Sequence, residues 1–165
     1  LPEITLIKFP FALGSHKKIY LHLKRMSSNN KFSISLTVRA GDLNYANHAA
    51  YYNYLLYFQE ARIGYLAQFG CTELDIMGCG MIISEVRCRY KRELFLGDAI
   101  QVYCGVTELR PKRFTMHYQI QRRRAICAEG ETTNICYDYT AKRMASLPKE
   151  FIADIARFEN LDTGR

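Results

Sequence analysis

Four polar side chains fall within one short segment of the sequence, and their types and position suit chemistry on a polar substrate. Asp42, Asn44, Asn47 and His48 lie in the segment VRAGDLNYANHAAYYNY, directly before a long apolar run. If that run is a helix, its unpaired backbone N–H groups and the positive end of its dipole face the segment. Such a helix N-terminus favours an anion or an oxyanion that develops during a reaction. We therefore expect the chemistry of this protein at this turn.

The apolar run is predicted to form one long helix that ends near Gly70. No Pro interrupts it, and its length of about 20 residues is well above the globular average of roughly eleven or twelve. Because its apolar residues cover most sides, we expect other elements to bury it. Three- and four-residue spacing links Tyr51, Tyr54, Leu55, Phe58, Arg62, Tyr65, Leu66 and Phe69, and among these Arg62 alone is charged.

Alternating apolar and polar residues on both sides of this helix predict strands. One run covers residues 32–39, and four more follow the helix at residues 81–90, 99–106, 114–121 and 125–139. Short turns separate the last strands, and a short helix is predicted at about residues 150–158. The simplest arrangement is a single α+β domain in which a curved five-stranded antiparallel sheet wraps the central helix. The open sheet edges predict pairing with a second copy.

The positive charge is concentrated at one end of the chain. Of the net +7, residues 1–31 carry six basic residues against Glu3, which leaves +2 for residues 32–165. This distribution disfavours a nucleic-acid partner. We interpret residues 1–31 as an N-terminal extension, with residues 1–25 either upstream of a natural start at Met26 or loosely attached. Residues 32–165 then form the folded domain, a suitable length for one core.

The six cysteines are scattered singly along the chain. None forms a C-x-x-C pair and no His stands at zinc-finger spacing, so we predict no metal site. Cys88, Cys104 and Cys136 fall inside strand patterns, where cysteine usually acts as a small buried hydrophobe. We recognise no signal peptide, and the N-terminal apolar runs are too short to span a bilayer. We therefore expect free thiols and a cytoplasmic location.

The segment GDLNYANH, followed by Tyr54-Leu55 and then by residues 58–62 (FQEAR), resembles a known family. It is similar to the hot-dog-fold acyl-CoA thioesterases of the 4-hydroxybenzoyl-CoA type, and the similarity extends over about residues 32–152. The resemblance implies the hot-dog fold and hydrolysis of an acyl-CoA, or another acyl thioester, to a free acid and a thiol. It also implies a homodimer or a dimer of dimers (a homotetramer) with its site at the subunit interface. No cofactor is expected beyond the coenzyme A of the substrate.

The resemblance also assigns roles within the turn. In the family the second Asp of an Asp-x-Asp motif is the catalytic carboxylate, and Asn44 occupies that position here. An amide cannot act as a general base or nucleophile. Either Asp42 or Glu60 then carries out the acid–base step, or Asn44 orients a water, or the protein binds acyl thioesters or acyl carriers without hydrolysis. A hot-dog dehydratase ranks last. The backbone N–H of Tyr51 matches the group that polarises the thioester carbonyl.

Each side chain also has a purely structural interpretation. Asp42 can close the turn, Asn44 and Asn47 can act as turn or capping residues, and His48 can cap the helix or pack against it. Glu60 is expected in a buried ion pair. As a catalytic residue, His48 would orient substrate or shuttle a proton. Basic side chains can contact coenzyme A phosphates. The predicted substrate-binding residues are Asn47, Tyr54, Arg87, Arg89 and Lys91.

Overall fold

A computed structural model describes residues 31–162. The predicted N-terminal extension therefore lies outside the described residues except for Lys31, and so does its Met26 start. The strands are β1 (Phe32–Thr37), β2 (Gly80–Tyr90), β3 (Ala99–Arg110), β4 (Arg113–Arg122), β5 (Ala125–Asp138) and β6 (Arg143–Met144). The helices are α1 (Tyr51–Ala67) and α2 (Lys149–Glu159), and a 3-10 turn covers Ala40–Asp42.

The strands form one antiparallel sheet in the order β1-β3-β4-β5-β2, and the two-residue β6 pairs with the end of β5. Helix α1 packs on one face of this sheet. Phe58 of α1 stacks on Tyr118 of β4, with ring centroids 4.6 Å apart, and Tyr65 meets Phe32 of β1 edge-on at 5.8 Å. The prediction of a single α+β domain with a sheet around a long central helix is confirmed, and β6 adds a sixth short strand.

The sheet buries only one side of α1. Tyr54, Phe58 and Tyr65 face the core, whereas Tyr52 and Leu56 remain about half exposed. The expectation that α1 is buried on most sides is therefore wrong for a single chain, because the five long strands cover only one face of the helix. The helix ends at Ala67, and Gly70 adopts the left-handed conformation (φ 66°) that reverses the chain after it.

A buried charge pairs α1 with the loop after it, although not through the expected residue. Arg62 is 3% exposed, its Nε lies 2.6 Å from Glu73 Oε1, and its Nη1 donates to the Tyr118 hydroxyl. Glu60 is exposed, so the prediction that it forms a buried ion pair is wrong. Positions two residues apart differ by about 200° around a helix axis, so Glu60 lies on the side of α1 opposite Arg62.

Two cysteines are joined rather than free. Cys79 and Cys136 form a disulfide, while Cys71, Cys88, Cys104 and Cys127 remain as thiols. The expectation that Cys136 is a free hydrophobe is therefore wrong. The pairing of β2 with β5, in which Gly80 is opposite Tyr137, brings these distant positions side by side. Among the described helices, none combines the length and apolar composition needed to cross a bilayer.

Substituting Gly130 should destabilise the fold. A Cβ atom at Gly130 would overlap the Phe58 ring and approach the Arg87 carbonyl oxygen to 2.8 Å. Because both neighbours belong to the core and its sheet, we expect Gly130→Ala to cost about 1–3 kcal/mol of unfolding free energy, measured by urea denaturation. Gly41→Ala is the matched control, since its Cβ would meet nothing within 4 Å. Equal stability of the two variants would contradict this packing.

Candidate active site

Asp42 fastens the turn to the start of α1 through its side chain and its backbone. Its Oδ2 accepts the Arg39 backbone N–H and the Tyr57 hydroxyl, each at 2.8 Å. Its carbonyl oxygen accepts the Ala50 N–H at 2.8 Å and Asn53 Nδ2 at 2.7 Å. The residue is 6% exposed. We call these four hydrogen bonds the Asp42 clamp, and they favour the turn-closing interpretation of this residue.

The clamp determines which helix amides are left free. The Ala49 N–H donates to the Leu94 carbonyl at 2.8 Å, and the Ala50 N–H is taken by Asp42. Within the described part of the chain, no acceptor meets the N–H groups of Tyr51 and Tyr52. These are the first two amides of α1, where the helix dipole adds positive potential. They can therefore donate to an incoming oxygen atom.

A cleft of about 410 Å³ opens at this helix end. Residues of the turn, of α1 and of the chain leaving β2 each form part of its wall. The lining residues are Asn44, His48, Ala49, Tyr51, Tyr54, Tyr90, Lys91, Arg92 and Glu93. The structure thus brings five sequence-predicted site residues to one cleft: Asn44, His48, Tyr51, Tyr54 and Lys91.

The His48 ring has a defined orientation in this cleft. Its Nδ1 lies 3.2 Å from the Ala49 carbonyl oxygen, and because a carbonyl only accepts, Nδ1 carries the proton. The other ring nitrogen, Nε2, lies 3.9 Å from Glu93 Oε1. Asn44 Nδ2 is 3.5 Å from both ring nitrogens, which places the amide over the ring face. Asn44 Oδ1 accepts the Ala46 N–H at 2.9 Å and so fixes that amide.

Two tyrosines tie the end of β2 to the helix. The Tyr90 hydroxyl donates to the Tyr51 carbonyl at 3.1 Å, and the Tyr54 hydroxyl donates to the Arg92 carbonyl at 3.2 Å. Their rings meet edge-on at 5.1 Å. Burial raises the pKa of Tyr54 to about 12, and burial together with Cys88 raises the pKa of Tyr90 to about 12. Both phenols therefore stay protonated near neutral pH and keep these bonds.

A family model described as the thioesterase-like superfamily matches residues 38–155, which include the turn, all of α1, strands β2 to β6 and the first part of α2. The chain belongs to this superfamily. The prediction of a hot-dog-fold thioesterase, and of a thioester hydrolase as its enzyme class, is confirmed.

Three relatives illustrate the similarity. A protein of Aquifex aeolicus, provisionally named an esterase, is 30% identical over 102 residues, which are 61% of this chain and 78% of the relative. The 1,4-dihydroxy-2-naphthoyl-CoA hydrolase of Microcystis aeruginosa is 30% identical over 87 residues, 51% of this chain and 63% of the relative. A Staphylococcus aureus protein solved in complex with CoA superposes with a TM-score of 0.72 at 19% identity, covering 81% of this chain and 87% of that chain.

Four of the other predicted site residues lie away from the cleft. Glu60 is on the exposed face of α1, and Asn47 is exposed with φ 62°. Arg87 and Arg89 line a separate cleft of about 190 Å³ on the sheet. Lys91 does reach the active-site cleft, and its Nζ pairs with Glu129 Oε2 at 2.5 Å.

Sequence reasoning missed several residues of this site. Tyr57 and Asn53 serve the Asp42 clamp, and Tyr90, Arg92 and Glu93 line the cleft. The FQEAR and GDLNYANH segments gave no signal for them, because they join the site only through the fold. Among the described residues, no group of three or more His, Cys, Asp or Glu side chains is placed to hold a metal ion.

Removing the Tyr57 hydroxyl should loosen the clamp. In Tyr57→Phe, buried Asp42 Oδ2 keeps only the Arg39 N–H as a close donor, so we expect a loss of about 1.5–3 kcal/mol of unfolding free energy. Tyr52→Phe is the matched control, because its hydroxyl has no partner among the described residues and the residue is 51% exposed. Urea denaturation that gives the same free energy for both variants would refute the clamp.

Proposed function

We propose that this thioesterase hydrolyses acyl-CoA thioesters to the free acid and coenzyme A in the cleft at the start of α1. One observation carries the proposal: the unpaired Tyr51 N–H opens on a cleft that also contains His48, whose ring is held through Nδ1 by the Ala49 carbonyl. Thioester hydrolysis requires a donor for the carbonyl oxygen, where negative charge develops, and a base for water. The cleft offers both groups on rigid elements.

The charge of the cleft supports coenzyme A as the thiol portion of the substrate. Lys91 and Arg92 lie at its rim, and phosphates are commonly held by such side chains. Arg92 is the stronger candidate, because Lys91 is already paired with Glu129. The Microcystis relative is named for an aromatic acyl-CoA, and the tyrosine-rich wall here (Tyr51, Tyr54, Tyr90) suits a ring. Coenzyme A enters as part of the substrate, and no other cofactor is proposed.

The oxyanion donor can be deleted without removing the helix. Proline is favoured at the first helical position and lacks an N–H, and Ala50 before it is already extended (φ −63°, ψ 145°). We expect Tyr51→Pro to lower kcat by about 10²- to 10³-fold on the best substrate of an acyl-CoA panel, because it removes one oxyanion donor. Tyr51→Ala keeps the N–H and serves as the control.

Thiol release from aliphatic and aromatic acyl-CoAs measures this outcome. Turnover by the wild type with full activity in Tyr51→Pro would contradict the proposed donor. No turnover of any thioester would contradict the proposed function itself.

A second candidate function is binding of acyl thioesters or acyl carriers without hydrolysis. It is favoured by Asn44, an amide at the position of the family carboxylate. Calorimetric titration with an acyl-CoA would then give saturable binding, and no thiol would be released over the same period.

We propose that the thioesterase acts as a homodimer joined along β2. This strand is at the edge of the sheet, and its apolar residues Ile83, Val86 and Tyr90 are 39%, 44% and 46% exposed. The register pairs Ile83 with Asn134 and Val86 with Thr132, which are buried on the α1 side. Apolar side chains that are exposed on the inner side of an edge strand favour association with a second copy of the chain. Pairing of two dimers into a tetramer remains a further proposal.

A charge on the inner side of β2 should separate the subunits. We expect Val86→Asp to elute as a monomer by light scattering, because the carboxylate would be desolvated in the interface. The wild type and the near-isosteric Val86→Thr should instead show twice the 19.2 kDa chain mass. A dimeric Val86→Asp would contradict this interface.

A further inference from the structure

The cleft contains one carboxylate, and it is not one of the expected residues. Asp42 is occupied by the clamp, Glu60 is exposed on another side of α1, and the family position carries Asn44. Of the residues that line the cleft, Glu93 alone is acidic. Its side chain is 64% exposed, so water reaches it freely. If the proposed function is correct, Glu93 is the carboxylate of this chain that the cleft offers to assist hydrolysis.

The distance between Glu93 and His48 suits a shared water. His48 Nε2 and Glu93 Oε1 are 3.9 Å apart, too far for a direct hydrogen bond. A single water can lie about 2.8 Å from both atoms at this separation and so bridge them by hydrogen bonds, as ordered waters commonly do. Such a water can donate one hydrogen to each atom and keep a lone pair for attack.

We propose that His48 and Glu93 form the general-base pair of this enzyme, with His48 Nε2 as the proton acceptor. The inference rests on the proposed function. The water oxygen forms a bond to the thioester carbonyl carbon while its proton passes to Nε2, and the carbonyl electrons move to the oxygen held by the Tyr51 N–H. The tetrahedral intermediate then re-forms the carbonyl, the C–S bond breaks, and the thiolate sulfur takes the proton from His48. The products are a carboxylic acid and a thiol.

The surroundings of His48 explain why Glu93 is needed. Asn44 covers the ring face, Ala49 fixes Nδ1, and both are neutral. The charged groups that line the cleft beside Glu93 are Lys91 and Arg92, which disfavour an imidazolium. Lys91 is paired with Glu129. The carboxylate in the cleft that can offset the charge of Arg92 is Glu93. Glu93 therefore supplies the charge that stabilises protonated His48.

The test measures kcat and KM of the full-length enzyme on its best acyl-CoA. We expect Glu93→Gln to lower kcat at least about tenfold, and His48→Gln to lower it by about 10²- to 10⁴-fold, with little change in KM. Glu150→Gln is the matched control, an exposed glutamate in the first turn of α2, and should keep the wild-type rate. The pH profile of the rate should differ between the wild type and His48→Gln, and the profile of Glu150→Gln should match the wild type.

The outcomes separate the two claims. If the wild type releases no thiol from any thioester, the proposed function fails and this inference fails with it. If the wild type is active and Glu93→Gln equals Glu150→Gln, the function stands and the inference is overturned. An active wild type in which Glu60→Gln, rather than Glu93→Gln, loses activity also overturns it. Circular dichroism of each variant shows that lost activity does not come from unfolding.

Discussion

The hydrogen bonds of Asp42 are the constraint on which the site depends. One carboxylate oxygen and one carbonyl hold the turn against two turns of α1, through Arg39, Ala50, Asn53 and Tyr57. A buried carboxylate is costly unless it is hydrogen-bonded, so the two donors to Asp42 Oδ2 hold the turn in this geometry. That geometry uses the Ala50 amide and leaves the Tyr51 amide free, which turns an ordinary helix start into a donor for a developing oxyanion.

The family has its carboxylate at the position of Asn44, whereas the carboxylate that lines the cleft of this protein is Glu93. A carboxylate at position 44 would share a small cleft with Glu93, and neighbouring carboxylates oppose each other's ionisation. With an amide at Asn44, one negative charge remains beside His48. The amide is also held by the Ala46 N–H, which fixes its position against the His48 ring.

The sequence predicted the helices and strands well because the residue patterns that indicate them lie within short segments. Period-two alternation and three-to-four spacing located all the long elements to within a few residues, and the amide of Tyr51 followed from the position of the helix start. Glu60 and Arg62 were harder, because only the rotation of α1 against the sheet decides which is buried. Asp42 kept two interpretations until its contact with Tyr57 was known. Glu93 and the Cys79–Cys136 pair depend on residues distant in sequence, and no local pattern indicates them.

The central claim is that the thioester carbonyl binds at the start of α1, and a crystal structure with a non-hydrolysable acyl-CoA analogue tests it most directly. The analogue's carbonyl oxygen should lie about 2.7–3.2 Å from the Tyr51 nitrogen, with the acyl carbon facing the space between His48 and Glu93. A carbonyl bound elsewhere, for example in the cleft beside Arg87 and Arg89, with the Tyr51 amide untouched, would contradict it.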